Sequence, residues 1–265
     1  MGLMDTIGHA LMNNDELHFA AEPRCSSEEQ WLVTLSAPLS AYNGNFVNAV
    51  ETGQTKEALR EGVAGMWGVQ DRASFEQTAR WLVEEGHRGK YLGAWRALVK
   101  LDAAHQAAPL LLRAVASVVF PGLFMLKLRG ELNYEDFANQ TGKSVTDIAA
   151  LMGSYNDWMG DLRKPLGVQP VEINDLVAWD AVRLASLSRW GVELGYIDRS
   201  ELTGFASGLS AQVRGAYGNW AQLSAAYVAA GLIWNYSEAR QEALVRTNAM
   251  LVSDPRSPYK SVSFH

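Results

Sequence analysis

Three side chains in this chain could do chemistry together. Asp180 and Arg183 stand three apart in the stretch LVAWDAVRLASLSRWGVELGYIDRSE, residues 176–201. A helical period puts Arg183 on a stripe otherwise made of Leu176, Trp179, Leu187, Trp190 and Leu194, with Asp180 on its edge. Burying an unpaired charge costs roughly several kcal/mol, so the two must serve each other or reach His87, Arg88 or Tyr196. His87 is the third group, an imidazole able to act as a general base. One reading makes Asp180 and Arg183 a buried ion pair that sets how the helix docks. As an isolated pair, both could be replaced by apolar residues with little net loss. The other reading is a pocket: Trp179, Arg88, Trp190 and Tyr196 would line a binding site, and His87, Asp180 and Arg183 would be its catalytic candidates.

Other chemistries find no support in the residues. The five histidines, His9, His18, His87, His105 and His265, show no pair at ligand spacing on a helix and no cysteine partner set, so no metal site and no cofactor are expected. The glycines are dispersed, without a phosphate-cradling Gly-x-x-x-x-Gly-Lys run, and there is no Gly-x-Ser-x-Gly elbow. A net charge of −6 with scattered Lys and Arg, the longest run being Arg163-Lys164, argues against a nucleic-acid surface. The single cysteine, Cys25, allows no internal disulfide and fits a reducing compartment. No basic, then apolar leader opens the chain, so a cytoplasmic protein is expected, with export by a route other than Sec left open. The most apolar run, Ala114 to Leu126, is broken by Pro121 and Gly122. It is shorter than the roughly 20 residues of a membrane span and is expected to be a buried helix.

The elements that must position these residues are helices. Composition, at 48% hydrophobic and 20% charged, is that of a globular chain large enough for one core. Residues 1–25 lack a sustained period and are expected to be a loosely packed arm. Ser27 with Gln30 predicts a helix start through Trp31 and Leu35 that Pro38 closes, and Asn43-Gly44 predicts a turn. A helix follows over 56–66. Ser74 with Gln77 predicts the start of another, which stops at Gly86, leaving His87 and Arg88 where cations can meet its terminal carbonyls. Tyr91, Trp95 and Leu98 mark the next helix. Residues 129–170 turn polar and read as a variable insertion within the domain, with a helix from Ser144. Asn174 is the expected cap of the central helix and Gly195 its end. Asp198 with Glu201 opens a helix running to about Tyr217, and Trp220, Leu223, Tyr227, Gly231 and Trp234 share a stripe on the one after. A last helix spans 238–252. No paired period-two runs appear, so the fold expected is all-α, about ten helices in a single domain over residues 1–265.

Several short motifs stand in order along the chain. They are Ser40 with Asn43 and Gly44; Trp67-Gly68-Val69; Trp81-Leu82 leading to Gly86-His87-Arg88; Trp179-Asp180 with Arg183; Arg189-Trp190-Gly191; and Gly195-Tyr196-Ile197. Trp220, Tyr227, Gly231 and Trp234 follow, and then Asp254-Pro255 and Ser257-Pro258. The ordered set, from about Trp31 to the end, resembles the bacterial family called domain of unknown function 1266. Val182 stands where that family usually has Gly, and Tyr259 where it usually has Trp. The resemblance implies a bacterial protein and brings no activity with it. The function expected is a binding or interaction module for a protein partner or small ligand. The alternative is a hydrolase-type enzyme, or an interbacterial toxin or effector, using a pocket of His87, Asp180 and Arg183; families of this kind can sit in competition or secretion loci.

Overall fold

The computed structural model describes residues 15–107, 159–234 and 238–265. These are helices and their connections, and the β-type pairing among them is an isolated bridge between His18 and Phe46. The all-α class expected from the sequence is found. The expected buried helix at Ala114 to Leu126, the helix start at Ser144, residues 129–158 of the insertion, residues 1–14 of the arm and the side chain of His105 lie outside the described residues.

The organising element is α5 (Val177–Leu194), in which only Arg183, Val192 and Glu193 escape full burial. It packs most extensively against α1 (Ser27–Tyr42), then α3 (Arg72–Glu84), and also meets α2 (Lys56–Trp67), α6 (Leu202–Ala206), α7 (Ser210–Ala216) and α8 (Trp220–Trp234). Its small residues explain the close approach. Ala178, Ala181, Ala185 and Ser188 are all buried, and a Cβ on Gly191 would stand 2.9 Å from the Phe75 ring of α3. A core containing Trp179, Leu187, Trp190 and Leu194 results. α4 (Arg88–Ala107) lies against α8, and α9 (Glu238–Ser253) against both α8 and α1. The chain ends on a short α10 (Pro258–Ser261) and a tail whose carbonyls are taken by indoles: Trp31 Nε1 donates to Phe264 and Trp220 Nε1 to Val262.

Several element boundaries differ from expectation, each for a local reason. The capping boxes belong to Ser26 with Glu29 and to Asp71 with Ser74, one and three residues earlier than predicted, because these side chains reach the free N–H groups of the first turn. Pro38 does not close α1. The helix runs through it to Tyr42, with the hydroxyls of Ser36 and Ser40 on either side held by a guanidinium from α5. Asn174 does not cap α5: the Asp175 carboxylate accepts from Val177 N–H at 2.7 Å and the Tyr217 hydroxyl from Ala178 N–H at 3.1 Å. The helix expected from Asp198 to Tyr217 is split into α6, α7 and two 3-10 turns. Near the start of the described chain, Leu17 is buried and Ala20 exchanges two hydrogen bonds with Asn48.

Candidate functional site

The site forms where α3 ends, α4 begins and α5 passes beneath both. The first N–H groups of any helix lack intrahelical acceptors, and a carboxylate there also opposes the positive end of the helix dipole. α4 takes its carboxylate from another helix. Asp180, fully buried, accepts from His87 N–H on both oxygens at 3.0 Å and from Arg88 N–H at 2.9 Å. This contact requires the glycine before it. Gly86 has φ +57°, and a Cβ there would stand 2.1 Å from the Asp180 carboxylate.

Two guanidiniums complete the shell of Asp180, Arg88 at 3.2 Å and Arg183 at 3.3 Å. Their surroundings differ. Arg88 turns back to the end of α3 and donates to the carbonyls of Leu82 at 2.8 Å and Val83 at 2.7 Å, the capping expected of this position. His87 does not share in that capping; its backbone N–H goes to Asp180, and its ring stacks on Tyr91 and meets the Trp81 edge. Arg183 lies under indoles, 4.5 Å from the centre of Trp67, 5.2 Å from Trp179 and 6.0 Å from Trp81. Its Nη1 also meets His87 Nδ1 at 3.0 Å. A guanidinium only donates, so Nδ1 is the acceptor and the imidazole proton sits on Nε2. Burial, and then the charge of Arg183, hold the His87 imidazole below its ordinary value of 6.5.

An open cleft of about 460 Å³ lies over this arrangement, lined by Trp67, Met66 and Gly68 at the end of α2, by Ser74, Gln77, Thr78 and Trp81 of α3, and by His87 and Arg183. The structure therefore brings Asp180, Arg183, His87 and Arg88 into one hydrogen-bonded cluster, and exposes His87 and Arg183 to the cleft. Asp180 is behind it. Trp179 flanks Arg183, and its buried indole N–H has no hydrogen-bond partner among the described residues. Trp190, about two turns beyond Arg183 along α5, is buried and packs edge-on against Trp67. Tyr196 is not brought to the cluster. It follows Gly195 at the far end of α5, about 20 Å along the axis from Arg183.

Arg189 is buried, and among the described residues no carboxylate forms a salt bridge with it. Its five N–H groups go to Val50, Phe46 and Glu51 carbonyls and to the Ser36 and Ser40 hydroxyls. Burial pushes its pKa down to about 10. The available signal was its register: Arg189 continues the small-residue stripe of Ala178, Ala181 and Ala185 at helical spacing, where a large cation must have built-in acceptors. Arg189 thus clamps the 46–51 loop between α1 and α5. Trp67 and Trp81 were visible as motif residues, but no periodicity within one helix could show that they face one cleft.

A family model described as "Protein of unknown function (DUF1266)" matches residues 121–264. The match takes in α5 with Asp180, Arg183 and Arg189, and leaves Trp67, Trp81 and His87 before it. No curated protein and no solved structure matches the chain. Among the described residues, no helix is long and apolar enough to cross a membrane.

Proposed function

The chain belongs to the DUF1266 family, so its role has to be argued from the site, and we propose that it is a binding module whose cleft between α2, α3 and α5 takes up the anionic part of a partner protein or small ligand. One observation carries this reading. Arg183 reaches Asp180 and His87 through Nη1 alone, it lines the cleft, and its Nε and Nη2 donors meet no acceptor among the described residues. A guanidinium already oriented by a carboxylate and three indoles loses little freedom when an anion binds, which favours affinity. The hydrolase or toxin alternative uses His87 as a general base, with Asp180 and Arg183 positioning substrate or stabilising charge, and a carboxylate on Nδ1 would strengthen that base. Here the group on Nδ1 is Arg183, and Asp180 meets only the His87 backbone. A base so placed is weakened.

The test is a panel of small carboxylates, phosphates and acidic peptides followed by the fluorescence of Trp67 and Trp81. A saturable response in the native chain, lost in a folded Arg183→Met variant, is expected. Absence of any Arg183-dependent response, together with ester or amide hydrolysis that disappears in His87→Gln, would replace the binding reading by the enzymatic one.

A further inference from the structure

The charges around the cleft narrow what it can hold. Arg88 and Arg183 together face one carboxylate, Asp180, and His87 is neutral. The cluster is left with one positive charge. Arg88 spends its donors on Asp180 and on two carbonyls, so the surplus resides at Arg183. Among the described residues, Arg183 is also the one charged residue lining the cleft, and its carboxylate partner is behind it. A buried or half-buried cation without a full counter-charge is best met by a single negative charge.

The geometry of the guanidinium narrows it further. With Nη1 engaged by His87 and Asp180, the remaining edge is Nε with Nη2, two parallel N–H groups that match the two oxygens of a carboxylate. The large apolar groups that line the cleft with Arg183 are the half-buried Trp67 and Trp81, with exposed Met66 beside them. Of the uncharged polar residues lining it, Ser74 and Thr78 donate their hydroxyls to the Asp71 and Ser74 carbonyls, which leaves Gln77 and the His87 ring. A cleft of this volume holds a body of about one or two aromatic rings.

We infer that the cleft is a subsite for one carboxylate carried next to an aromatic ring, either a free aromatic acid or the C-terminal aromatic residue of a peptide. The ring lies along the indoles of Trp67 and Trp81 and the carboxylate takes the Nε and Nη2 edge of Arg183. This assignment rests on the binding reading above and names its ligand class.

Titration calorimetry on the full chain near neutral pH distinguishes the possibilities, with phenylacetate, acetate, phenylacetamide, phenyl phosphate, and a tripeptide Ala-Ala-Phe with free or amidated C-terminus as probes. Phenylacetate is expected to bind at least about tenfold more tightly than acetate, and phenylacetamide to show no binding, since each lacks one of the two recognised features. Arg183→Met should abolish phenylacetate binding. Gln77→Glu, at an exposed position where the fold is safe, should weaken it severalfold by placing a second carboxylate at the rim. A free-acid tripeptide that outbinds phenylacetate and fails when amidated would identify a protein C-terminus as the source; phenylacetate outbinding both peptides would identify a small molecule. If acetate equals phenylacetate, or phenyl phosphate binds best, the carboxylate-and-ring assignment is wrong while anion binding stands. If no probe binds in an Arg183-dependent way, both readings fall.

Discussion

Removing Asp180 and removing Arg183 should have unequal costs, and the inequality follows from what each leaves behind. Asp180→Ala strips the acceptor from two backbone N–H groups at the start of α4 and from two guanidiniums whose side chains are 18% and 13% exposed. Breaking a buried charge cluster from its central member costs about 3 to 5 kcal/mol. Arg183→Met leaves Asp180 with both amides and Arg88, so its carboxylate stays satisfied. What is lost is one shared hydrogen-bonding nitrogen and the indole stacking, of which methionine restores the apolar part, and about 1 to 2 kcal/mol is expected. The double variant should melt close to Asp180→Ala alone, because the stranded N–H groups of His87 and Arg88 are still there. An isolated pair would behave otherwise, with the double recovering most of the single losses. Urea unfolding of the three variants, followed by far-UV circular dichroism, measures the cycle. Equal losses in the two singles with rescue in the double would refute the reasoning, and would make Arg183 a structural partner and not a group held for the cleft.

Two of the glycines at left-handed positions, Gly86 and Gly195, should also separate. Gly86→Ala pushes a methyl into the Asp180 carboxylate and is expected to cost about 4 kcal/mol or more, whereas Gly195→Ala, with φ +77° and nothing within 4 Å of the new carbon, should cost about 1 kcal/mol; denaturation midpoints decide. Arg189→Met leaves three loop carbonyls and two hydroxyls without their donor and should destabilise by about 3 to 5 kcal/mol, with proteolysis appearing first in the 46–51 loop; an unchanged melt would remove its role as a clamp. The lowered pKa of His87 means that the unfolded chain binds the proton more readily. Its contribution to stability is therefore complete above the ordinary value of 6.5 and is lost as pH falls through the folded value, with Asp180 and Glu85 opposing the loss and Arg183 and Lys90 favouring it. His87→Gln should flatten the stability profile on that acid side, and an unaltered profile would contradict the assignment.

Helix class, the centrality of α5 and the meeting of Asp180 with Arg183 were legible in the sequence, because they depend on contacts three or four residues apart and on a face whose burial the residue types already imply. Gly86, Gly195 and the start of α4 were legible for the same reason: a stop signal and a backbone conformation are local. Caps were read less well. The spacing points to Ser27 and Ser74, while Ser26 and Asp71 do the capping, because nearby polar residues compete on nearly equal terms until the preceding chain takes its direction. Pro38 was read as a terminus because the guanidinium that holds its flanking serines arrives from a residue about 150 positions away. The same distance separates what the sequence by itself determined from what only the tertiary structure decided. Periodicity placed His87, Asp180 and Arg183 on their helices, but whether Asp180 would face the cleft or cap α4 from behind, and whether Nδ1 of His87 would meet a carboxylate or a guanidinium, depended on how α3, α4 and α5 cross. That crossing is set by the summed packing of Phe75 against Gly191, of Gly86 against Asp180 and of the tryptophans around Arg183, contacts between segments that no local pattern encodes.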